Sequence, residues 1–407
     1  MRPLAAAVVA LASLVAISPL SAQKKGSLPK RPKLQATTDT NDAAAYYQLG
    51  QQMLDRDART AADAFYWATR LNPNSAEALY GLRTARHLSD MWRFQRYMAD
   101  DRKTIESRDV RQIDSLLARA LMLNPFLYRK FDELMFRKYI HHSVNSSSPG
   151  SDRPMSSEVD HWIDLWLQRA GPETRAWVAY GGGRFGDALR GYAEAMKGTK
   201  RHAYLRTERG RIFFLLGNPD SALAELNLAL DELRKKDNKE LVRLYDSKAV
   251  LEHSIAKIHE ARDDVAAARE AYGRALEEDL AFYPAHLALA NLALQTGDTT
   301  TGLSEMELAV QINGDDAVLR LIYAYVLAAS KRYADAEAHL AKAIAVEPYF
   351  PNPYHVLGQV YESQKKRPEA IAQYEAFLQR AAMSHPMREE AVRRLGALRT
   401  QVSGSKE

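Results

Sequence analysis

Residues 352–377 read NPYHVLGQVYESQKKRPEAIAQYEAF. Gly358, a small residue, is followed twelve positions later by another, Ala370. Tyr374 comes four further on and Phe377 three after that. The same phase runs back along the chain. Ala176, Gly210, Ala256, Ala290, Ala324 and Gly358 occupy the first slot, in steps of 34, 46, 34, 34 and 34 residues. Ala188, Ala222, Ala268, Gly302, Ala336 and Ala370 occupy the second. The large slot holds Tyr192, Leu226, Tyr272, Met306, Leu340 and Tyr374. The last holds Ala195, Ala229, Ala275, Ala309, Ala343 and, exceptionally, Phe377. Four slots kept in phase over six units mark an internal repeat.

The spacing is helical. Leu287, Ala290 and Leu294, like Ala336, Leu340 and Ala343, recur at intervals of three and four, which places them on one helix face. Gly217-Asn218-Pro219-Asp220, Gly297-Asp298 and Lys366-Arg367-Pro368 fall between such stretches and read as turns. Small side chains let two antiparallel helices approach, and the large residue fills the gap between them. One pair of about 34 residues cannot bury its apolar face alone, so stacked pairs share one continuous core.

These residues resemble the tetratricopeptide repeat, whose pattern is W-x2-L-G-x2-Y, then A, A-x3-F and a closing P. Tyr354, Leu357, Gly358, Tyr361, Ala370 and Tyr374 form one good copy, with Phe377 in place of the usual alanine. Tyr46, Leu49, Gly50, Met53, Ala61, Phe65, Ala68 and Pro73 form a second, one residue short in its turn. The resemblance implies an all-α, right-handed superhelical solenoid of antiparallel helix pairs. It gives one repeat at 42–75 and six at 169–384. A divergent helical segment spans 76–168, with a low-complexity loop at 145–157, and a capping helix and tail span 385–407. The 46-residue step adds twelve residues near Asp237 to Lys248, read as lengthened helices. In the cap, Val392, Leu395 and Leu398 are expected to face inward.

The chain opens with Met1-Arg2, an uncharged apolar run from Leu4 to Ile17, and a small-residue stretch, Ser18 to Ala22. That is the layout of a cleaved export signal over 1–22, with Gln23 as the mature N-terminus. The run is shorter than the roughly 20 residues a membrane-spanning helix needs. No stable membrane insertion after cleavage is expected, and the periplasm, or secretion, is the expected address. Residues 23–41 read as a disordered basic linker. The net charge of +5 is concentrated at this end. Without the six basic residues of 1–38, 50 basic residues face 51 acidic ones. A body with no positive excess is a poor phosphate-binding surface, so nucleic acid is not an expected partner.

Function classes that depend on cysteine fall away, because the chain has none. GGGRFG at 181–186 fits G-x-G-x-x-G, but it sits where the turn between paired helices belongs and no strand precedes it. His141-His142 point apart on a helix, and no H-E-x-x-H exists. No metal, cofactor or catalytic residues are assigned, and the chain reads as non-enzymatic. The resemblance implies that certain first-helix slots face a concave groove that holds ligands. In this chain they are Trp177, Tyr180, Tyr204, Thr207, Arg211, Phe214, His253, Lys257, Asn291, Tyr325, His355 and Gln359. The function this implies is an exported scaffold or adaptor that binds a protein or peptide partner. The alternatives are a stable component of a cell-envelope assembly or export machine, and an enzyme housed in 76–168. All five tryptophans (Trp67, Trp92, Trp162, Trp166 and Trp177) lie before or shortly after the 145–157 loop, which marks the N-terminal half as the place for a grafted function.

Overall fold

Each sequence slot turns out to be a contact between two helices. In the computed structural model all 24 slot residues are buried. A Cβ added at Gly358 would lie 2.9 Å from the Tyr374 ring. One at Gly210 would lie 2.9 Å from Leu226, and one at Gly50 2.8 Å from Phe65. The small slot of each first helix therefore faces the large slot of its own second helix. At these glycines the large side chain fills the space that a Cβ would take.

The structure describes residues 28–146, 157–200, 202–237 and 247–403. The export-signal reading of 1–22, the cleavage at Gln23, most of the 145–157 loop and the last residues of the tail lie outside them. The described chain is all-α. In order, α1 is Ala43–Met53, α2 Ala58–Leu71, α3 Ala76–Leu88, α4 Met91–Met98, α5 Arg102–Ile105, α6 Arg108–Leu123, α7 Asp132–Ser146 and α8 Ser157–Arg169. The regular pairs follow: α9 Pro172–Gly181 with α10 Phe185–Met196, α11 His202–Leu215 with α12 Pro219–Asp237, and α13 Lys248–Ala261 with α14 Val265–Glu278. Then come α15 Tyr283–Gln295 with α16 Thr299–Ile312, α17 Ala317–Ala329 with α18 Tyr333–Val346, and α19 Asn352–Ser363 with α20 Arg367–Arg380. The last helix, α21, is Arg388–Ser403. Within each pair the two helices are each other's main neighbours, as a stacked helical-pair array requires. The chain divides into two bodies: 54–62 with 79–282, and 28–53 with 63–78 and 283–403.

The turns inside the pairs follow one rule. Seven residues after each small slot stands a residue with positive φ: Gly183, Gly217, Asp263, Gly297, Lys331 and Lys365. In all six the next residue donates its N–H to the carbonyl five positions back, from Arg184 to Ala179 through Lys366 to Tyr361. That bond closes the first helix with a left-handed residue at its end. The glycines of GGGRFG belong to this turn. Gly183, at φ +74°, ends α9, and Arg184 opens α10. Where the opening residue is Asn218, Asp264 or Asp298, its side chain accepts a backbone N–H of the new helix.

Three regions stand apart from the regular pairs. Segment 76–168 does not form regular pairs. The short α4 and α5 are followed by α6, and α7 packs against α4, α8 and α9. In the cap, Ala391, Leu395 and Leu398 are buried, while Val392 is 54% exposed. Positions 392 and 398 are six apart, which puts them about 120° apart around a helix, whereas 391, 395 and 398 form a narrow stripe. The third region is 28–41, expected to be a solvated tether. The structure describes contacts there that composition does not suggest. Trp67 Nε1 donates to the Pro29 carbonyl at 3.1 Å. Arg31 lies over the rings of Trp67 and Tyr46, at 4.6 and 5.5 Å. Asn41 Nδ2 donates to the Gln379 carbonyl at 2.9 Å. In the same body Arg70 and Glu347, both buried, pair at 2.9 Å, and Trp67 meets Tyr349 edge-on at 4.9 Å. The N-terminal pair is thus fastened to the C-terminal repeats. α12, at 19 residues, is the longest of the paired helices and takes up part of the twelve extra residues; 238–246 lie outside the described structure.

Candidate functional site

Three of the expected groove residues of the first body, Tyr180, Arg211 and Phe214, meet a stretch of the chain itself. Asn124 ends α6, and its Oδ1 accepts the Phe126 N–H at 3.0 Å, which turns the chain into an irregular run to Phe131. That run packs on the first helices of the repeats. Tyr180 Oη donates to the Leu127 carbonyl at 3.2 Å, and Arg211 Nε to the Pro125 carbonyl at 3.2 Å. Phe126 stacks on Phe214 with centroids 3.9 Å apart. Trp177 meets Phe136 of α7 edge-on at 5.9 Å. Tyr204 packs on the core formed by Tyr180, Tyr192 and their neighbours, and Thr207 Oγ1 returns to the Ala203 carbonyl at 2.9 Å.

Buried charge secures this insertion. Arg129 pairs with Glu208 of α11 and lies 3.6 Å from Asp132. Asp132 accepts the Tyr80 hydroxyl at 2.7 Å, and Glu208 also pairs with Arg211. Burial opposes the charge on Arg129, but Glu208 and Asp132 outweigh it and hold the guanidinium firmly protonated. At Tyr180, Arg211 and Phe214 the slots that the resemblance gave to a ligand are therefore filled from within the fold.

The remaining positions separate by exposure. His253 is buried between Tyr272 and Phe282, with ring centroids at 5.5 and 5.4 Å. Burial, aided by Lys257, pulls its pKa down to about 3. Lys257 Nζ pairs with Glu260 at 2.7 Å. In the second body His355 is buried against Tyr374 and Phe377, and burial lowers its pKa also. Tyr180, His253 and His355 thus offer no surface to a partner; they are core. Gln359 is half-buried. Asn291 on α15 and Tyr325 on α17 are exposed, and Tyr325 shows 62% of its surface. They share one slot, 34 residues apart, directly after the small residues Ala290 and Ala324.

The comparison with family models agrees with this phase. A tetratricopeptide repeat model matches residues 174–237 and 254–317. Over those residues the chain carries tetratricopeptide repeats. Solved structures of similar fold include yeast Tom70, at 13% identity over 89% of this chain and 90% of that one, with a TM-score of 0.43. YrrB, described as a tetratricopeptide protein with an unusual peptide-binding site, matches at 16% identity over 51% of this chain and 100% of its own, with a TM-score of 0.40. MamA from Desulfovibrio magneticus matches at 13% identity, over 44% and 94% respectively, with a TM-score of 0.37. No curated protein matches the sequence.

Beside the tetratricopeptide slots, the structure shows features that the repeat pattern did not single out. In the divergent segment Trp92 and Trp162 are 65% and 52% exposed, and Leu165 lies one helical turn after Trp162. Trp92 meets His142 edge-on at 5.0 Å. Their tryptophan content was the one signal available. In the second body a cleft of about 360 Å³ is lined by Tyr323, Arg320, His339, Lys342 and others. Arg320 donates to His339 Nδ1 at 3.2 Å, while Glu307 and Asp335 in the same cleft balance its cations. Among the described residues no group of three or more His, Asp or Glu is gathered to hold a metal. Among them, too, no helix is long and apolar enough to cross a membrane.

Proposed function

We propose that the chain is a non-catalytic scaffold that holds a partner protein or peptide on the first-helix face of its C-terminal repeats. The observation that carries this reading is the placement of Asn291 and Tyr325. The residues that close the helix pairs are all buried, yet at these two positions the slot presents an amide and a large aromatic to solvent. An exposed tyrosine is a favourable interface residue, because it offers much contact area at small entropic cost. Tetratricopeptide folds are suited to such contacts, since stacked pairs present a row of side chains at regular spacing.

Capture of partners from a cell-envelope extract with the wild-type chain and with Tyr325→Glu/Asn291→Arg tests this. Both positions are exposed, so the variant keeps its fold. A partner retained by the wild type and lost from the variant supports the reading. A partner held equally by both refutes this face. A second reading, a stable component of an envelope assembly, is favoured by Trp162 and Leu165, exposed one turn apart on α8, because contiguous exposed apolar surface marks interaction sites. The periplasmic address belongs to the same proposal and rests on the sequence of 1–22. Protein recovered from the periplasm with Gln23 as its first residue supports it; an intact N-terminus in the cytoplasm refutes it.

A further inference from the structure

The segment Leu28 to Leu34, LPKRPKL, sits on α1 and α2 in the manner of a bound peptide. Pro29 and Pro32 favour an extended backbone for it. Among the described residues no backbone–backbone hydrogen bond ties this segment to a helix. It is held by side chains at two points. Trp67 Nε1 donates to the Pro29 carbonyl at 3.1 Å. The Arg31 guanidinium lies 4.6 Å from the centroid of Trp67 and 5.5 Å from that of Tyr46. Lys30 and Lys33, on either side of Arg31, are exposed. Behind the shelf Trp67 leans on Tyr349, which fixes the indole in place. Tyr46 stands on α1 and Trp67 on the second helix, so this is a different surface from the first-helix slot of Asn291 and Tyr325.

Recognition of this kind suits exchange. A flat guanidinium on two rings is a specific contact that lysine reproduces poorly. The absence of a backbone ladder means that no run of hydrogen bonds must break for the segment to leave. Asp39 and Asn41, bonded to Met383 and to the Gln379 carbonyl, anchor the strap just beyond it, so 28–34 can lift while its base stays attached. A tethered occupant acts at an effective concentration of roughly millimolar. A free peptide is therefore excluded until it is abundant or the strap is weakened.

We propose that the Tyr46–Trp67 shelf is a recognition site for an extended arginine–proline segment. Residues 28–34 are its resident occupant, and a partner protein presenting a similar basic segment binds by displacing them. The proposal stands whether or not the Tyr325 face binds a partner.

The test uses the full chain and a fluorescent peptide, LPKRPKLQ, the sequence of 28–35, followed by anisotropy. The wild-type chain should bind it weakly. The Arg31→Ala chain, whose strap has lost its anchor, should bind it about tenfold more tightly, the size expected for removing a desolvated cation–π competitor. The same peptide with its arginine replaced by alanine should not bind the Arg31→Ala chain, and a scrambled peptide of equal charge should bind at least tenfold more weakly. Equal affinity of the two chains for LPKRPKLQ overturns the proposal, as does equal binding of the scrambled peptide. A lowered Tm for Arg31→Ala without any peptide binding would show that the strap is a fixed clasp, and would overturn it equally.

Discussion

Two glycine-to-alanine substitutions in the second body should move stability in opposite directions. Gly358 and Gly396 both lie inside helices, α19 and α21. In each, alanine removes the entropic penalty of glycine, worth about 1 kcal/mol. At Gly396 the new Cβ meets nothing within 4 Å, so that gain should appear nearly in full. At Gly358 the Cβ would stand 2.9–3.0 Å from three atoms of the Tyr374 ring. Carbon atoms pack best at about 3.5–4.0 Å, so the ring must shift by more than half an ångström. It has little freedom to do so, because it is buried and its hydroxyl donates to Glu362 at 2.6 Å. Overpacking of this kind costs about 1–3 kcal/mol. The propensity gain is common to both variants, so the two should differ by about that amount. Tyr374→Leu, which installs the residue that stands opposite Ala324 at position 340, should relieve the Gly358→Ala variant and give a clear coupling in a double-mutant cycle. Repeat arrays need not unfold in one step. The assay is therefore hydrogen exchange of peptides covering 352–380, supported by urea unfolding monitored by circular dichroism. Equal shifts for Gly358→Ala and Gly396→Ala would refute the small-against-large register on which the fold assignment rests.

Other outcomes follow from the same contacts. Lys331→Gly relieves a non-glycine residue at φ 62° and should stabilise the α17–α18 turn by about 0.5–1 kcal/mol, seen as slower exchange at its amides. Glu208→Gln removes the charge facing buried Arg129 and Arg211, and should cost about 3 kcal/mol in urea unfolding of the first body, near the lower end for a broken buried pair because Asp132 remains beside Arg129. His253, with a folded pKa of about 3 against about 6.5 unfolded, binds its proton mainly in the unfolded chain between those values. Its contribution is whole above pH 6.5 and lost as the pH falls towards 3. His253→Phe should therefore flatten the decline in stability between pH 6 and pH 4 by up to about 1.4 kcal/mol per pH unit.

The helix pairs could be read from the sequence because their decisive contacts are local. Gly358 meets Tyr374 only 16 residues away, and each earlier regular pair keeps that spacing. The groove was harder to read, for a reason that is also physical. Tyr180, Arg211 and Phe214 are covered by Leu127, Pro125 and Phe126, which lie 53, 86 and 88 residues earlier in a segment outside the repeat phase. No periodicity reports such a contact. For His253 and His355 a signal did exist. The equivalent positions in the two units between them are Leu287 and Leu321, which are apolar and partly buried, so the slot is a packing position. The strap at 28–34 reads as a tether from composition, because proline and lysine dominate it. Its hold depends on Trp67 and Tyr46, residues whose role is visible only once α1 and α2 stand side by side.

The most direct test of the scaffold reading is photo-crosslinking from the exposed slot. Benzoylphenylalanine replaces Tyr325 in one chain and Leu308, exposed on the second helix of the preceding pair, in another. Both chains are irradiated in cells that express them. The account predicts a discrete protein adduct from position 325 that is absent from position 308. Adducts of equal yield from both positions, or from 308 alone, would contradict it.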